Sequence, residues 1–189
     1  MNVLWDFDGT LFDTYPAFTE TMYKILNQKI PKTKIFKELK VSFSHAVKTF
    51  GLSDEDVARF KKLETSLSPQ FKPPFPYIED VLMKVNTNVI MTHKPRVEVK
   101  AILDYYDWHH YFKEIVTIDD GFPRKPDPSA YQYLHEKYML DLVVGDRLLD
   151  IIPAKKLGIK TCLFQNNEDG ADYYLSSYEK FFSVVDISL

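Results

Sequence analysis

The alternation of short apolar runs with helical patterns beyond residue 77 is the feature that most constrains the fold of this chain. Each run follows a segment with apolar residues at helical spacing, and the runs are NVIM, EIVTI, DLVVGD and IKTCLF. Another short apolar run, Val3 to Trp5, lies at the N-terminus. Apolar strands that alternate with helices are typical of a parallel sheet covered by helices. The sequence therefore predicts an α/β fold.

Residues 14–76 differ from the rest because they carry helical patterns and no strand-like run. Gly51 is a natural helix stop, and Ser53 with Asp56 resembles a capping box at the start of a further helix. Four prolines between Pro69 and Pro76 then end the helical region, because proline fits neither a helix interior nor a central strand. We therefore expect an α/β core from residues 1–13 and 77–189, with an all-helical insert at 14–76.

Composition excludes several classes of protein. The net charge of -3 provides no global positive field for nucleic acid or anionic lipid. The single cysteine, Cys162, excludes an intramolecular disulfide and suits a reducing compartment. No apolar run approaches the roughly 18 residues that a membrane helix needs, and no signal-peptide pattern opens the chain. We expect a cytoplasmic protein without nucleic-acid or membrane partners, as a monomer or weak dimer.

The first strand runs directly into WDFDGT, which places two carboxylates one residue apart. If the backbone stays extended, Asp6 and Asp8 share a face, and such like charges favour a proton or a bridging cation. Gly9 then allows a tight turn and close approach of a ligand. The alternative is a polar strand end followed by an ordinary turn.

Three further strand ends carry polar side chains. Thr92 ends NVIM, Lys125 follows EIVTI, and Asp146 with Asp150 follows LVV. Each has a structural alternative. Thr92 and Asp146 could cap helices, and Lys125 could be a solvated loop lysine. Asp150 could be an acid in the first turn of a helix, where the helix dipole favours it. The carboxyl ends of parallel strands lie at one edge of the sheet, so we expect these groups to lie together there. Ligands of open parallel sheets bind at this edge.

Together these residue types suit metal-assisted phosphoryl transfer. Carboxylates hold Mg²⁺, a hard cation that prefers oxygen ligands. A hydroxyl and an ammonium hold phosphate oxygens, and one carboxylate can attack phosphorus to form an aspartyl-phosphate.

The motifs DFDGTLFDT, MTHKP, RKPDP and GDRLLD resemble the four motifs of the haloacid dehalogenase (HAD) superfamily, in that family's order and across most of the chain. The helical insert after the first motif resembles the type-one cap of that family. The chain is most similar to the phosphoglycolate phosphatase and β-phosphoglucomutase branch. The resemblance implies a Rossmann-like parallel-sheet core with an inserted all-helical cap.

The resemblance also implies roles for the catalytic groups. Asp6 would be the nucleophile, and Asp8 would protonate the leaving alcohol and then activate water. Thr92 and Lys125 would hold the phosphoryl group. The dehalogenases of the family lack a second acid at the position of Asp8, so this residue points to phosphate esters.

A magnesium site is implied by the same resemblance. Asp146 would bind Mg²⁺ beside Asp6 and the backbone carbonyl of Asp8, and Asp150 would help to hold the metal directly or through water. The predicted cofactor is therefore Mg²⁺.

Substrate contacts are the least specific part of the pattern. His93 follows Thr92 where the family often has a small polar residue, and it is a candidate phosphate or substrate contact or a structural residue. A loop facing the active site would correspond to KVSFSHA, although the family's usual glycine is absent there and a solvated helix-helix turn is the alternative. Its candidate substrate contacts are Lys40, Ser42, Ser44 and His45.

The predicted function is a Mg²⁺-dependent phosphatase that hydrolyses a small phosphomonoester through an aspartyl-phosphate. A phosphomutase on the same scaffold is the alternative, and a phosphate-binding regulator without catalysis is a third interpretation.

Overall fold

The computed structural model describes residues 1–186. Within them, six strands and nine α-helices follow one another along the chain. In order they are β1 Asn2–Trp5, α1 Tyr15–Ile25, α2 Lys32–Val41, α3 Phe43–Phe50, α4 Asp54–Ser66, α5 Ile78–Lys84, β2 Thr87–Met91, α6 Arg96–Tyr106, β3 Phe112–Val116, α7 Ser129–Tyr138, β4 Leu142–Gly145, α8 Leu148–Lys156, β5 Lys160–Phe164, β6 Tyr173–Leu175 and α9 Phe181–Val184.

All six strands form one parallel sheet with the order β3-β2-β1-β4-β5-β6. The first strand of the chain thus lies inside the sheet, between β2 and β4. The predicted α/β class with a Rossmann-like parallel sheet is confirmed. Among the described residues, no helix is long and apolar enough to cross a membrane.

Apolar side chains cover both faces of this sheet. Val3 and Trp5 belong to one buried cluster, and Leu4 between them belongs to another. This alternation follows from the two-residue period of a strand, and it explains why the strands read as continuous apolar runs.

The chain divides into two compact units, residues 1–12 with 74–189, and residues 13–73. The second unit contains α1 to α4 and has its own buried cluster, which includes Met22, Ile35 and Phe60. Its predicted capping box is present, since Ser53 and Asp56 bond reciprocally at the start of α4. The predicted bounds of 14–76 for a cap stay a prediction.

The C-terminal tail differs from expectation. The sequence predicts a final helix in DYYLSSYEKFF, but Tyr173–Leu175 form β6 and only Phe181–Val184 form a helix. β6 pairs with β5, and the Gln165 N–H donates to the Leu175 carbonyl at 2.8 Å. The pairing satisfies backbone groups of β5 that helix formation in the tail would leave without partners.

Two helices also begin or continue differently from the sequence pattern. The sequence predicts Asp127 as N-cap and Pro128 as the first residue of a helix, but α7 begins at Ser129 with Pro128 before it. The Asp127 carboxylate still accepts the Ser129 N–H at 2.9 Å. α8 continues through Pro153, which lacks an N–H to donate within the helix.

Burial of the single cysteine predicts its reactivity. Cys162 in β5 is fully buried, and this burial raises the pKa of its thiol to about 12. At pH 8 the reactive thiolate is therefore almost absent from the native protein. We expect Ellman's reagent to label Cys162 in urea and not under native conditions; rapid labelling of the native protein would contradict this burial.

A buried ion pair in the helical unit should contribute to the free energy of unfolding. The ammonium of Lys72 contacts the carboxylate and the main-chain carbonyl of Glu64, and both residues are buried. Lys72→Met leaves a buried carboxylate without its cation and should lower the free energy of unfolding by about 3–5 kcal/mol. Urea denaturation followed by circular dichroism measures this change.

The matched control is Lys32→Met, because Lys32 pairs with Glu20 on the surface. It should change the urea midpoint little, since exposed ion pairs contribute little. The double variant Lys72→Met/Glu64→Leu should recover much of the loss; equal losses in the single and double variants would contradict the role of the pair.

Candidate active site

A group of polar side chains lies at the carboxyl ends of β1, β2 and β4. Asp6 follows β1, and its N–H donates to the Val144 carbonyl of β4 at 2.9 Å. Asp146 follows β4, and Asp150 lies in the first turn of α8. Thr92 follows β2, and Lys125 comes from the segment after β3. The sheet order thus brings together residues that are far apart in the sequence.

Three buried carboxylates form the centre of this group. Asp6, Asp146 and Asp150 each offer one oxygen, and these oxygens lie within 4.8 Å of one another. Their residues are 3%, 0% and 0% exposed. Such burial of like charges is costly unless cations or protons compensate for it.

Lys125 compensates for part of this charge. Its ammonium donates to Asp6 Oδ1 at 2.6 Å and to Asp150 Oδ1 at 2.8 Å. The Arg147 guanidinium lies 3.6 Å from Asp146 Oδ1 and 3.5 Å from Asp150 Oδ2. The predicted lysine is therefore brought into direct contact with the predicted nucleophile.

The two carboxylates that share Lys125 have opposite pKa shifts. Burial, and next the charge of Asp150, raise the pKa of Asp6. Burial also acts to raise the pKa of Asp150, but Lys125 and Arg147 outweigh it and lower that pKa. Burial opposes the charged form of Lys125, yet Asp150 and Asp6 raise its pKa overall. The pKa of Asp6 thus stays above its ordinary value, and a further cation near its carboxylate would lower it.

A hard divalent cation suits this set of donors. All three side chains offer oxygen, the ligand type that Mg²⁺ prefers, and their oxygens are already grouped. Asp6, Asp146 and Asp150 could therefore hold such an ion. The side-chain carboxylate of Asp8 lies outside this group, so only its backbone carbonyl remains as the predicted ligand from that residue.

A missing Cβ at the end of β4 permits this close packing. A Cβ built on Gly145 would lie 2.2 Å from the Cβ of Asp150. Glycine is therefore required where α8 brings its acid against the strand. The Tyr131 hydroxyl also donates to the Asp150 carbonyl at 2.9 Å, which fixes the start of α8 from the neighbouring helix α7.

Asp8 has a different partner from Asp6. β1 ends at Trp5, and the N–H groups of Leu11 and Phe12 both donate to the Phe7 carbonyl, so the backbone turns there. The extended conformation that would give both acids one face therefore stops before Asp8. Asp8 Oδ1 lies 3.3 Å from the ammonium of Lys94. Each acid of the WDFDGT segment has its own lysine.

The loop after β2 contains two of the predicted phosphate contacts. Thr92 is buried, and its hydroxyl oxygen accepts the Lys94 N–H at 3.1 Å, which leaves the hydroxyl proton for another acceptor. His93 Nε2 accepts the Lys125 N–H at 3.1 Å. Burial, and next the charge of Lys125, lower the pKa of His93 to about 3, so its ring is neutral. The contact fixes the main chain that carries Lys125.

The KVSFSHA segment is not a loop. Lys40 lies in α2, and Ser42 alone separates α2 from α3. Ser42 accepts the His45 N–H at 2.9 Å and so caps α3, while His45 Nε2 lies 2.8 Å from Glu38. The ammonium of Lys40 lies 4.7 Å from the ring centre of Tyr15, and Ser44 is exposed. The structure thus shows the alternative, a turn between two helices, because a serine cap allows α2 and α3 to meet at one residue.

Four side chains around the site were not singled out from the sequence. They are Lys94 beside Asp8, Arg147 beside the carboxylates, Thr10 with its hydroxyl 3.5 Å from Asp6 Oδ2, and Asn166, which donates to the Asp146 carbonyl at 2.9 Å. Lys94, Arg147 and Thr10 carry a detectable signal, because each lies within two residues of a predicted site residue. The position of Asn166 depends on folding of the loop after β5.

Comparison with known proteins identifies the family. The family model described as haloacid dehalogenase-like hydrolase matches residues 3–164. Phosphoglycolate phosphatase from Vibrio cholerae is 32% identical over 93 residues, which are 44% of this chain and 41% of that protein. Pyrophosphatase PpaX from Bacillus cereus is 26% identical over 199 residues, covering 95% of this chain and 89% of that protein.

A solved structure agrees with the fold. A candidate phosphoglycolate phosphatase from Lactobacillus plantarum superposes with a TM-score of 0.82 at 20% identity, covering 96% of this chain and 97% of that chain. The chain therefore belongs to the haloacid dehalogenase-like hydrolase family, as an enzyme of the phosphatase type, and the predicted family and enzyme class are confirmed.

Proposed function

We propose that this chain is a Mg²⁺-dependent phosphatase that hydrolyses a small phosphomonoester through an aspartyl-phosphate on Asp6. The observation that carries the proposal is the buried Asp6 carboxylate, held by Lys125 at 2.6 Å beside Asp146 and Asp150. Relatives are named for phosphoglycolate and for pyrophosphate, both small phosphate compounds. That shared property supports the substrate class.

In the first step, a carboxylate oxygen of Asp6 attacks phosphorus and forms an oxygen–phosphorus bond, which gives an acyl phosphate on Asp6. The bond from phosphorus to the substrate oxygen breaks, and Asp8 donates a proton to that oxygen as the alcohol leaves. Lys125 and the Thr92 hydroxyl hold oxygens of the transferring group, whose negative charge would otherwise repel Asp6.

In the second step, Asp8, now a carboxylate, takes a proton from water. The water oxygen attacks phosphorus, the oxygen–phosphorus bond to Asp6 breaks, and inorganic phosphate leaves. Asp6 is regenerated as a carboxylate and Asp8 as an acid, so the two steps form a closed cycle.

Asp6, Asp146 and Asp150 would hold Mg²⁺, with the Asp8 carbonyl as a further ligand. The bound ion would supply positive charge to the phosphoryl oxygens and to Asp6. Lys125 continues to neutralise Asp6 and Asp150 from its own side, so the carboxylates keep their places. We assign His93 to positioning of Lys125, through its hydrogen bond to the Lys125 N–H.

We also propose that the helical region, residues 14–76, is the cap that selects the leaving alcohol. Lys40 and Ser44 stay candidates for substrate contact. Ser42 and His45 have structural partners within the helical unit, the α3 cap and Glu38.

Replacement of Asp6 tests the proposed nucleophile. Asp6→Asn keeps the shape of the side chain and removes its charge, so hydrolysis of p-nitrophenyl phosphate in Mg²⁺ should fall by about 10³-fold or more. Asp104→Asn, at an exposed residue of α6 that pairs with Lys100, is the matched control and should keep wild-type turnover. Full activity in folded Asp6→Asn would refute the proposed intermediate.

The phosphomutase alternative has its own outcome in the same assay. A mutase returns the phosphoryl group to a sugar and excludes water. Slow release of inorganic phosphate, together with isomerisation of a sugar phosphate stimulated by glucose 1,6-bisphosphate, would replace the phosphatase proposal.

Binding of Mg²⁺ can be tested by a measurement that does not depend on turnover. A ligand that binds the native state alone, at about 100 times its dissociation constant, stabilises that state by about 2.7 kcal/mol. Mg²⁺ should therefore raise the thermal midpoint of the wild type, and Asp146→Asn should abolish most of this shift. Asp104→Asn again serves as control. An unchanged Mg²⁺ shift in Asp146→Asn would contradict the assigned ligand.

A further inference from the structure

We propose that Lys94 is a positioning residue that holds the Asp8 carboxyl group in place for proton transfer, and that Glu98 anchors Lys94. This inference rests on the proposed phosphatase function and assigns part of its machinery to the loop after β2. It concerns the orientation of Asp8, whereas Lys125 serves Asp6.

The first support is the burial of a charged side chain between two acids. Lys94 is 6% exposed, and its ammonium lies 3.3 Å from Asp8 Oδ1 and 3.4 Å from Glu98 Oε2. Burying an ammonium is costly unless it is paired, so a lysine at this position is explained by the two carboxylates that it contacts.

The second support is the way in which the lysine is fixed. The Lys94 N–H donates to the Thr92 hydroxyl at 3.1 Å, and Glu98 lies one helical turn further along, in the first turn of α6. Lys94 is thus held at its main chain by the strand end and at its ammonium by a helix. A side chain fixed at both ends can impose a position on its partner.

The third support is the state of the Asp8 oxygen. Asp8 lies in a turn after β1, and its Oδ1 is buried and has no directed hydrogen bond within residues 1–186. The contact with Lys94 is therefore an electrostatic attraction between its ammonium and Asp8 Oδ1. Without Lys94, the side chain would lose an attraction that favours its present rotamer.

Displacement of Asp8 should affect the rate differently for different leaving groups. A displacement of a catalytic group by about 1 Å can lower a rate by 10²-fold. Asp8 must give a proton to an alcohol of high pKa, whereas nitrophenolate leaves with little help. Loss of Lys94 should therefore slow the transfer from poor leaving groups more than from good ones.

The test compares 4-nitrophenyl phosphate with 4-methylphenyl phosphate, whose shapes are similar and whose phenols differ by about three pKa units. The parameter is kcat/KM, since it reports the transfer to Asp6 and excludes hydrolysis of the intermediate. In Lys94→Met we expect a loss of about 10-fold or more for the methylphenyl ester and less than about 3-fold for the nitrophenyl ester. Lys94→Arg should restore part of the loss.

Lys100→Met is the matched control, because Lys100 lies on the surface of α6 and pairs with Asp104. It should leave both substrates unaffected. Glu98→Gln should reproduce the selective pattern of Lys94→Met at smaller amplitude. An equal loss for both esters in folded Lys94→Met would overturn the proposal, because a general structural role predicts that result.

A double-mutant cycle tests whether Lys94 acts through Asp8. In an Asp8→Asn background, adding Lys94→Met should cause no further loss for the methylphenyl ester. A persistent loss in that background would overturn the inference. Wild type that hydrolyses neither ester would refute the proposed function instead. Crystal structures would then decide the inference, since an unmoved Asp8 carboxyl group in Lys94→Met would overturn it and a displaced one would support it.

Discussion

The ammonium of Lys125 is the group on which the candidate site depends. It donates to Asp6 and Asp150, two carboxylates that are almost completely buried and that come from opposite parts of the sequence. Without a cation between them, burial and mutual repulsion would favour protonation of at least one of the acids. With it, Lys125 and Arg147 lower the pKa of Asp150, whereas burial and the charge of Asp150 raise the pKa of Asp6.

The sheet makes this network possible. β1 lies between β2 and β4, so the residues after these three strands meet at one edge. The bond from the Asp6 N–H to the Val144 carbonyl extends the ladder by one residue, and this sets the position at which the proposed nucleophile, Asp6, leaves the sheet. Gly145 then lets α8 bring Asp150 against the end of β4. Reactive groups are thus carried by rigid elements.

The two acids of the WDFDGT segment pair with different lysines. Asp6 with Lys125 is buried in the carboxylate cluster, while Asp8, whose side chain is 20% exposed, contacts the buried Lys94. The loop after β2 serves both pairs, since His93 accepts the Lys125 N–H and Lys94 contacts Asp8. The proposed nucleophile and the proposed proton donor need different surroundings, and separate cations lie beside them.

The sequence by itself determined the class of the fold and the main residues of the site. Its strand–helix alternation required a parallel sheet, and a polar residue at each of four strand ends placed Asp6, Thr92, Lys125 and Asp146 at one edge, because parallel strands share their direction. Tertiary structure alone decided which cation meets which acid, as Lys125 and Asp6 are 119 residues apart in the chain. Tertiary structure also decided that the tail adds β6 to the sheet, since a sheet edge exists only after the strands have paired. It likewise decided that Ser42 caps α3 directly after α2, since the cap depends on how the two helices pack.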